Sequence, residues 1–302
     1  MEEMLAMKYI AMTTCVITYI IGVFGNVFII AVNAQHWVNT QKFSPCDLIV
    51  STMSFSNAML HSVETANCFL FYLWTNVYYQ DHVHKTNYII GSTLVFSSLW
   101  FDTWLCLYFC VKIVSCRKPF FLQLKMKFSK TVPWILLGTI LASFIISFPI
   151  GWNWPRNSSN NLTANISANA LYASHFTNML SIYLLLCVLA FFIILFSAIT
   201  ILISLFEHVR RIKKTSDDFN SPRLDAQRSA AKTVTSLFAL YLIYFVNLVI
   251  ALMYSQDTMA QAIYNMINFV TIILHATVLI LGRPRLKTSL MDILKLFKCC
   301  CR

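Results

Sequence analysis

Residues Met179 to Phe206 read MLSIYLLLCVLAFFIILFSAITILISLF, without one Asp, Glu, Lys, Arg, His, Gly or Pro. At about 1.5 Å of rise per residue, a helix over this stretch reaches about 40 Å, more than the roughly 30 Å of a bilayer's hydrocarbon layer. In lipid the backbone must bond to itself, which a helix does and an open strand does not. The stretch therefore predicts a membrane-spanning helix. Six more apolar segments repeat the signal: Tyr9 to Asn33, Leu48 to Trp74, Tyr88 to Ile113, Val132 to Ile150, Ala230 to Tyr254 and Ala262 to Gly282. None shows the apolar and polar alternation of barrel strands. The expected fold class is an all-α membrane protein with residues 1–282 forming a seven-transmembrane helix bundle. Beyond Gly282-Arg283-Pro284, residues 283–302 predict a short cytoplasmic amphipathic helix. Its apolar residues Leu286, Leu290, Ile293, Leu294 and Phe297 recur at helical spacing, with Lys287, Lys295 and Lys298 off that stripe.

The composition agrees: 302 residues are 58% hydrophobic and only 12% charged, with few Gly and Pro. A net charge of +11 raises the question of nucleic acid, but the basic residues are interleaved with the apolar segments rather than gathered on one domain. Their placement sets orientation instead. Lys8, Lys85 and Arg156 are the only three in the N-terminal region and the second, fourth and sixth connections; all others lie in the alternate connections, the tail or the adjoining helix ends. By the positive-inside rule the N-terminus is extracellular and the C-terminus cytoplasmic, in a multi-pass protein of the plasma membrane. The acidic start, Met1 to Lys8, does not look like a cleavable signal, so the first helix is expected to be its own anchor. The fourth connection carries the glycan acceptors Asn157, Asn161 and Asn165, which need a lumenal loop. None of the ten cysteines falls in an outer loop. Cys299, Cys300 and Cys301 end the tail, where palmitate could pin it to membrane lipids.

Several separate motifs resemble the bitter taste receptors, the type 2 taste receptor family of G protein-coupled receptors, along nearly the whole chain. The first helix has Gly22-Val-Phe-Gly25-Asn26-Val-Phe28-Ile29. The third reads Leu99-Trp100-Phe101-Asp102-Thr103-Trp104-Leu105, then Lys112-Ile113 and Phe121-Leu122-Gln-Leu124-Lys125, in the family's order and spacing. Ser204-Leu205-Phe206-Glu207-His208 ends the fifth, Ala230-Ala231-Lys232-Thr233-Val234 opens the sixth, and the seventh has His275-Ala276-Thr-Val-Leu279-Ile280 followed by Pro284-Arg285-Leu286-Lys287. The chain departs from the pattern at Asn57, where the family has Arg, at Ala276 for Ser and at Ala190 for Pro. It also lacks the Asp-Arg-Tyr and Asn-Pro-x-x-Tyr motifs of rhodopsin-like receptors. The resemblance implies a chemosensory receptor for small, largely apolar bitter compounds, which activates a gustducin-like heterotrimeric G protein. It implies no cofactor, metal or enzymatic activity.

The candidate ligand residues follow from both lines. Trp100 and Trp104 share one helix face and, with Phe101, suggest an aromatic wall, although tryptophan facing lipid is common. Asn265 and Asn268 share a face of the seventh helix and by resemblance occupy contact positions; interhelical bonding is the alternative. Tyr183, Tyr244 and Asn247 are weaker candidates, Tyr244 matching the family's switch tyrosine. Glu64, three residues from His61 in the second helix, either bonds that histidine or attracts a cationic ligand. Asn26 and Asn57 are expected to meet between the first two helices. Asp102, roughly 200° around the helix from Trp100, finds no role in this reading. Facing the G protein, Lys112, Lys125, His208, Arg210, Arg211, Lys213 and Lys214 are expected to frame the inner cleft. His82 and His84 supply two metal ligands without a third. A type 1 vomeronasal-like pheromone receptor is the near alternative. A transporter is a distant one, since internal repeats and broken helices are missing.

Overall fold

The computed structural model describes the backbone of residues 2–113, 119–152, 166–215, 222–253 and 258–300. Among these the chain is helical: α1 (Glu2–Thr40), α2 (Pro45–Leu73), α3 (Thr75–Tyr78), α4 (Asp81–Ile113), α5 (Pro119–Trp152), α6 (Ile166–Thr215), α7 (Pro222–Met253), α8 (Thr258–Gly282) and α9 (Pro284–Cys300). Each long helix contains one apolar segment, and most overrun it by several residues. Hydropathy marks where lipid is tolerated, whereas helical hydrogen bonding continues into polar sequence until a breaker or a cap stops it. At the start of α2, Ser44 supplies such a cap: its Oγ accepts from the Asp47 N–H at 3.1 Å, and Pro45 takes the first helical position, where a missing N–H costs nothing. Pro284 plays the same part for α9, which leaves α8 at an angle of 99°.

Among the described residues, five helices hold a stretch long and apolar enough to cross a membrane, and the bent α8–α9 pair makes a sixth. The long helix outside this group is α2, whose composition is diluted by Ser54, Ser56, Asn57, His61 and Thr65, all buried. The apolar side chains point the other way. On α6, Cys187, Ala190, Ile194, Ser197 and Ile201 are buried, while Leu185 and Phe196 are each 67% exposed. Large hydrophobes turned outward with small and polar residues turned inward is the arrangement for a lipid solvent, not for water.

The helices close into a ring. α1 packs on α2 and α8, α2 on α4, α4 on α5 and α6, α6 on α7, and α7 on α8. α4 is the central element, also reaching α7, and buries Phe96, Leu99, Phe101, Leu105 and Cys106. The tail helix α9 packs on α8 and α1 through Leu286, with Leu290 and Ile293 partly covered, while Leu294 is exposed. The apolar stripe is thus shared between the bundle and the outside.

Two expected polar contacts are not formed. Asn26 donates its Nδ2 to the Gly22 carbonyl at 2.8 Å in its own helix instead of meeting Asn57, which is drawn toward α4 and α8. His61 does not bond Glu64: its ring is fully buried, neither nitrogen has a hydrogen-bond partner, and it stacks on Phe269 with centroids 6.5 Å apart. The His61 ring occupies the groove that Gly22 leaves open. A Cβ at Gly22 would sit 2.1 Å from its Nε2. Gly22→Ala is therefore expected to cost about 2 kcal/mol, in the range of overpacked cores, read as a lower melting temperature of the purified protein.

Candidate ligand site

A cavity of about 100 Å³ lies midway along the bundle, lined from four helices. α2 contributes Asn57, Leu60 and Glu64; α4 Val95, Ser98, Leu99 and Asp102; α7 Leu237, Leu240, Tyr241 and Tyr244; α8 Asn268, Thr271, Ile272 and His275. The lining surface is mostly apolar, and four of its polar residues, Ser98, Asn57, His275 and Asp102, form one connected chain. Ser98 Oγ donates to Asn57 Oδ1 at 2.9 Å, Asn57 Nδ2 lies 3.2 Å from His275 Nδ1, and His275 Nε2 lies 2.7 Å from Asp102 Oδ1. The order of donors fixes the tautomer. With its oxygen taken by Ser98, the Asn57 amide donates to Nδ1, so His275 carries its proton on Nε2 and gives it to the Asp102 carboxylate. The chain also reaches Ser56, whose Oγ lies 3.1 Å from that of Ser98. Higher in the cavity Asn268 Oδ1 accepts from Asn247 Nδ2 at 3.2 Å, joining α8 to α7. Tyr241 donates to the Cys187 carbonyl at 2.5 Å, which holds α7 against α6.

The taste receptor protein (TAS2R) family model matches residues 3–298. The chain belongs to that family. Similar proteins include taste receptor type 2 member 40 of Gallus gallus, 28% identical over 294 residues that cover 94% of this chain and 93% of that protein. Taste receptor type 2 member 7 of Macaca mulatta is 27% identical over 285 residues, covering 91% and 89%. Member 9 of the same species is 27% identical over 289 residues, covering 92% and 91%. The TAS2R chain is thus matched along its length, and the family is one of receptors, not enzymes.

In this taste receptor, the residues singled out in the sequence fall into distinct places. Glu64, Tyr244 and Asn268 line the cavity, and Asn247 stands behind Asn268. Trp100 and Trp104 share a face, with rings 6.1 Å apart, but that face turns away from the cavity. Trp104 donates to Thr139 Oγ1 of α5 at 3.0 Å, and Trp100 packs on Phe96, whose ring lies 5.0 Å from that of Tyr183 on α6. Phe101 is wholly buried in the core. These four residues brace α4 from behind. The Asn265 side chain lies outside the described residues.

Asp102, which has no role legible in the sequence, meets His275 in the structure. The signal was faint: an acid two residues from a tryptophan and a histidine in a distant apolar segment, each costly in lipid alone. Of the residues expected to frame the inner cleft, Lys112 is exposed with its Nζ 5.5 Å from the Tyr108 ring, and Arg210 is exposed near the end of α6. The side chains of Lys125, His208, Arg211, Lys213 and Lys214 lie outside the described residues, as do those of Cys299 and Cys300. Asn157, Asn161, Asn165 and Cys301 lie outside them altogether.

A second polar centre ties the tail to the bundle. Asp47 Oδ1 is 2.7 Å from a guanidinium nitrogen of Arg283 and 2.7 Å from one of Arg285, and Arg285 also donates to Asn33 Oδ1 at 2.6 Å. Burial alone would raise the Asp47 pKa. The guanidinium of Arg283, the bond to Ser44 and the charge of Arg285 outweigh it and hold the carboxyl below its usual range.

Proposed function

We propose that this taste receptor crosses the plasma membrane seven times, N-terminus outside, and takes small, largely apolar bitter compounds into the cavity between α2, α4, α7 and α8. Binding activates a heterotrimeric G protein, gustducin-like in kind, on the inner side. The observation that carries this reading is that one cavity touches four helices while its polar chain links α2, α4 and α8. A ligand seated there contacts groups whose spacing depends on helix packing, so it favours one packing over another. A tenfold difference in affinity between two packings shifts their ratio tenfold, equivalent to about 1.4 kcal/mol. The residues lining the cavity, Glu64, Tyr244 and Asn268 among them, make the contacts, together with Asn265. Trp100, Phe101, Trp104 and Tyr183 hold the wall of α4 against which the ligand presses.

The inner ends of α4, α6 and α7 then part for the G protein, with Lys112, Lys125, His208 and the Arg210, Arg211, Lys213 and Lys214 run framing the opening. Glycans on Asn157, Asn161 and Asn165 face outward. Residues 283–302 lie along the inner leaflet, with palmitate on Cys299, Cys300 or Cys301 as a lipid anchor.

Screening bitter compounds for calcium release in cells given a promiscuous G protein tests this reading. At least one compound is expected to evoke a concentration-dependent response absent from untransfected cells. Ligand-driven tracer flux through the purified protein in liposomes, with no calcium response to any compound, would replace the receptor with a transporter.

A further inference from the structure

The two carboxylates of the cavity differ in one respect. Asp102 accepts a hydrogen bond from His275 at 2.7 Å. Glu64 lines the same cavity from α2, well inside the bundle, yet it makes no hydrogen bond or ion pair with any described residue. Neither Lys nor Arg lines the cavity, and its one imidazole, His275, is engaged by Asn57 and Asp102, so no counter-charge in the lining is paired with Glu64. A carboxylate in an aliphatic cavity without a counter-charge is stabilised by a cation that enters from outside.

The lining also bears on the kind of cation. A calcium or magnesium ion asks for six or more oxygen ligands, whereas Leu60, Leu99, Leu237 and Leu240 offer hydrocarbon. An ammonium group on an apolar body suits both parts. Its charge meets Glu64, its methyl or methylene groups meet the leucines, and the rings of Tyr241 and Tyr244 offer their faces to the same charge. We propose that Glu64 is the anchor for the ammonium group of small organic cations, protonated or quaternary, which the cavity binds in preference to neutral molecules of the same shape. This rests on the reading of the cavity as the ligand site and adds the charge class of the ligand.

The test uses the full-length receptor in nanodiscs with benzyltrimethylammonium and its uncharged isostere neopentylbenzene, which differ only in nitrogen for carbon. Equilibrium binding is expected to favour the cation at least tenfold. Glu64→Gln should bring the two within about twofold, without lowering the melting temperature of the ligand-free protein, since it keeps the shape and breaks no hydrogen bond or ion pair to a described residue. Asp81→Asn, at the outer start of α4 where Asp81 pairs with Lys85 at 3.0 Å, serves as the control for diffuse surface attraction and should leave the preference intact. Equal binding of both probes by the wild type, a preference that survives Glu64→Gln, or no binding of the cation would each overturn the proposal. Calcium responses in cells separate this from the signalling function. Responses to neutral compounds alone would sink only the ammonium site, and a Glu64-dependent cation preference without any calcium response would sink only the signalling function.

Discussion

Asp102→Ala is expected to lower the stability of the purified receptor by about 3 kcal/mol and to abolish ligand-evoked signalling. The side chains of His275 and Asp102 are 10% and 18% exposed, and their 2.7 Å bond joins the middle of α8 to the middle of α4. Removing the carboxylate strands the Nε2 proton inside the bundle, where an unsatisfied polar group costs about 1–3 kcal/mol, and leaves a void besides. The loss spreads, because the same imidazole takes a bond from Asn57, which takes one from Ser98. Asp102→Asn keeps an acceptor and should cost about 1 kcal/mol. His275→Leu alone should cost nearly as much as Asp102→Ala, while the double variant should recover a large part of the loss. A thermal-unfolding cycle over these four proteins that gave additive losses would mean that the two side chains do not interact.

Asp47→Ala should have a comparable effect at the other polar centre. The Asp47 side chain is 5% exposed and receives Arg283 and Arg285 on one oxygen. Its loss leaves two guanidinium groups facing each other without an anion, a change that costs about 3–5 kcal/mol when a pair is buried. Arg283 and Arg285 keep 17% and 32% exposure, which places the expected loss at the lower end, about 3 kcal/mol. Because both arginines flank the α8–α9 bend, the damage should be concentrated there, visible as faster amide exchange in α9 than in α4. Asn33→Ala removes one of the bonds of Arg285 and should cost about 1 kcal/mol. The Asp47 pKa is depressed on folding, so its contribution is complete above the carboxylate value of 3.8 and fades as the pH falls through the folded value. At neutral pH the full effect is present.

Met179 to Phe206 announces its helix by hydropathy alone, but α6 extends over Ile166–Thr215, because nothing in the flanking sequence ends the hydrogen-bond ladder. The second apolar segment was legible as a helix, and its polar residues found their place inward, where a ring of neighbours could use them. What one sequence does not display is which inward residues meet. Asp102 and His275 are separated by 173 positions, and Asp47 and Arg285 by 238. No local periodicity encodes those distances. The spacing of Trp100 and Trp104 correctly put them on one face, yet which way that face turns depends on the rotation of α4 against its neighbours. The same rotation brings Asp102, about 200° from Trp100, onto the cavity. Family motifs drew attention to the third and seventh helices without specifying that the polar chain would run through Asn57, a position where this chain departs from the family.

Filling the cavity tests the central claim most directly. Thr271 lines it from α8, and its hydroxyl only bonds the Ile267 carbonyl of its own turn at 2.7 Å, so exchanging it disrupts no bond between helices. Thr271→Phe places a ring in a space of about 100 Å³. With surface expression matched to the wild type, the potency of an agonist found in the calcium screen is expected to fall at least a hundredfold. Unchanged potency in that variant would mean that the ligand binds somewhere else.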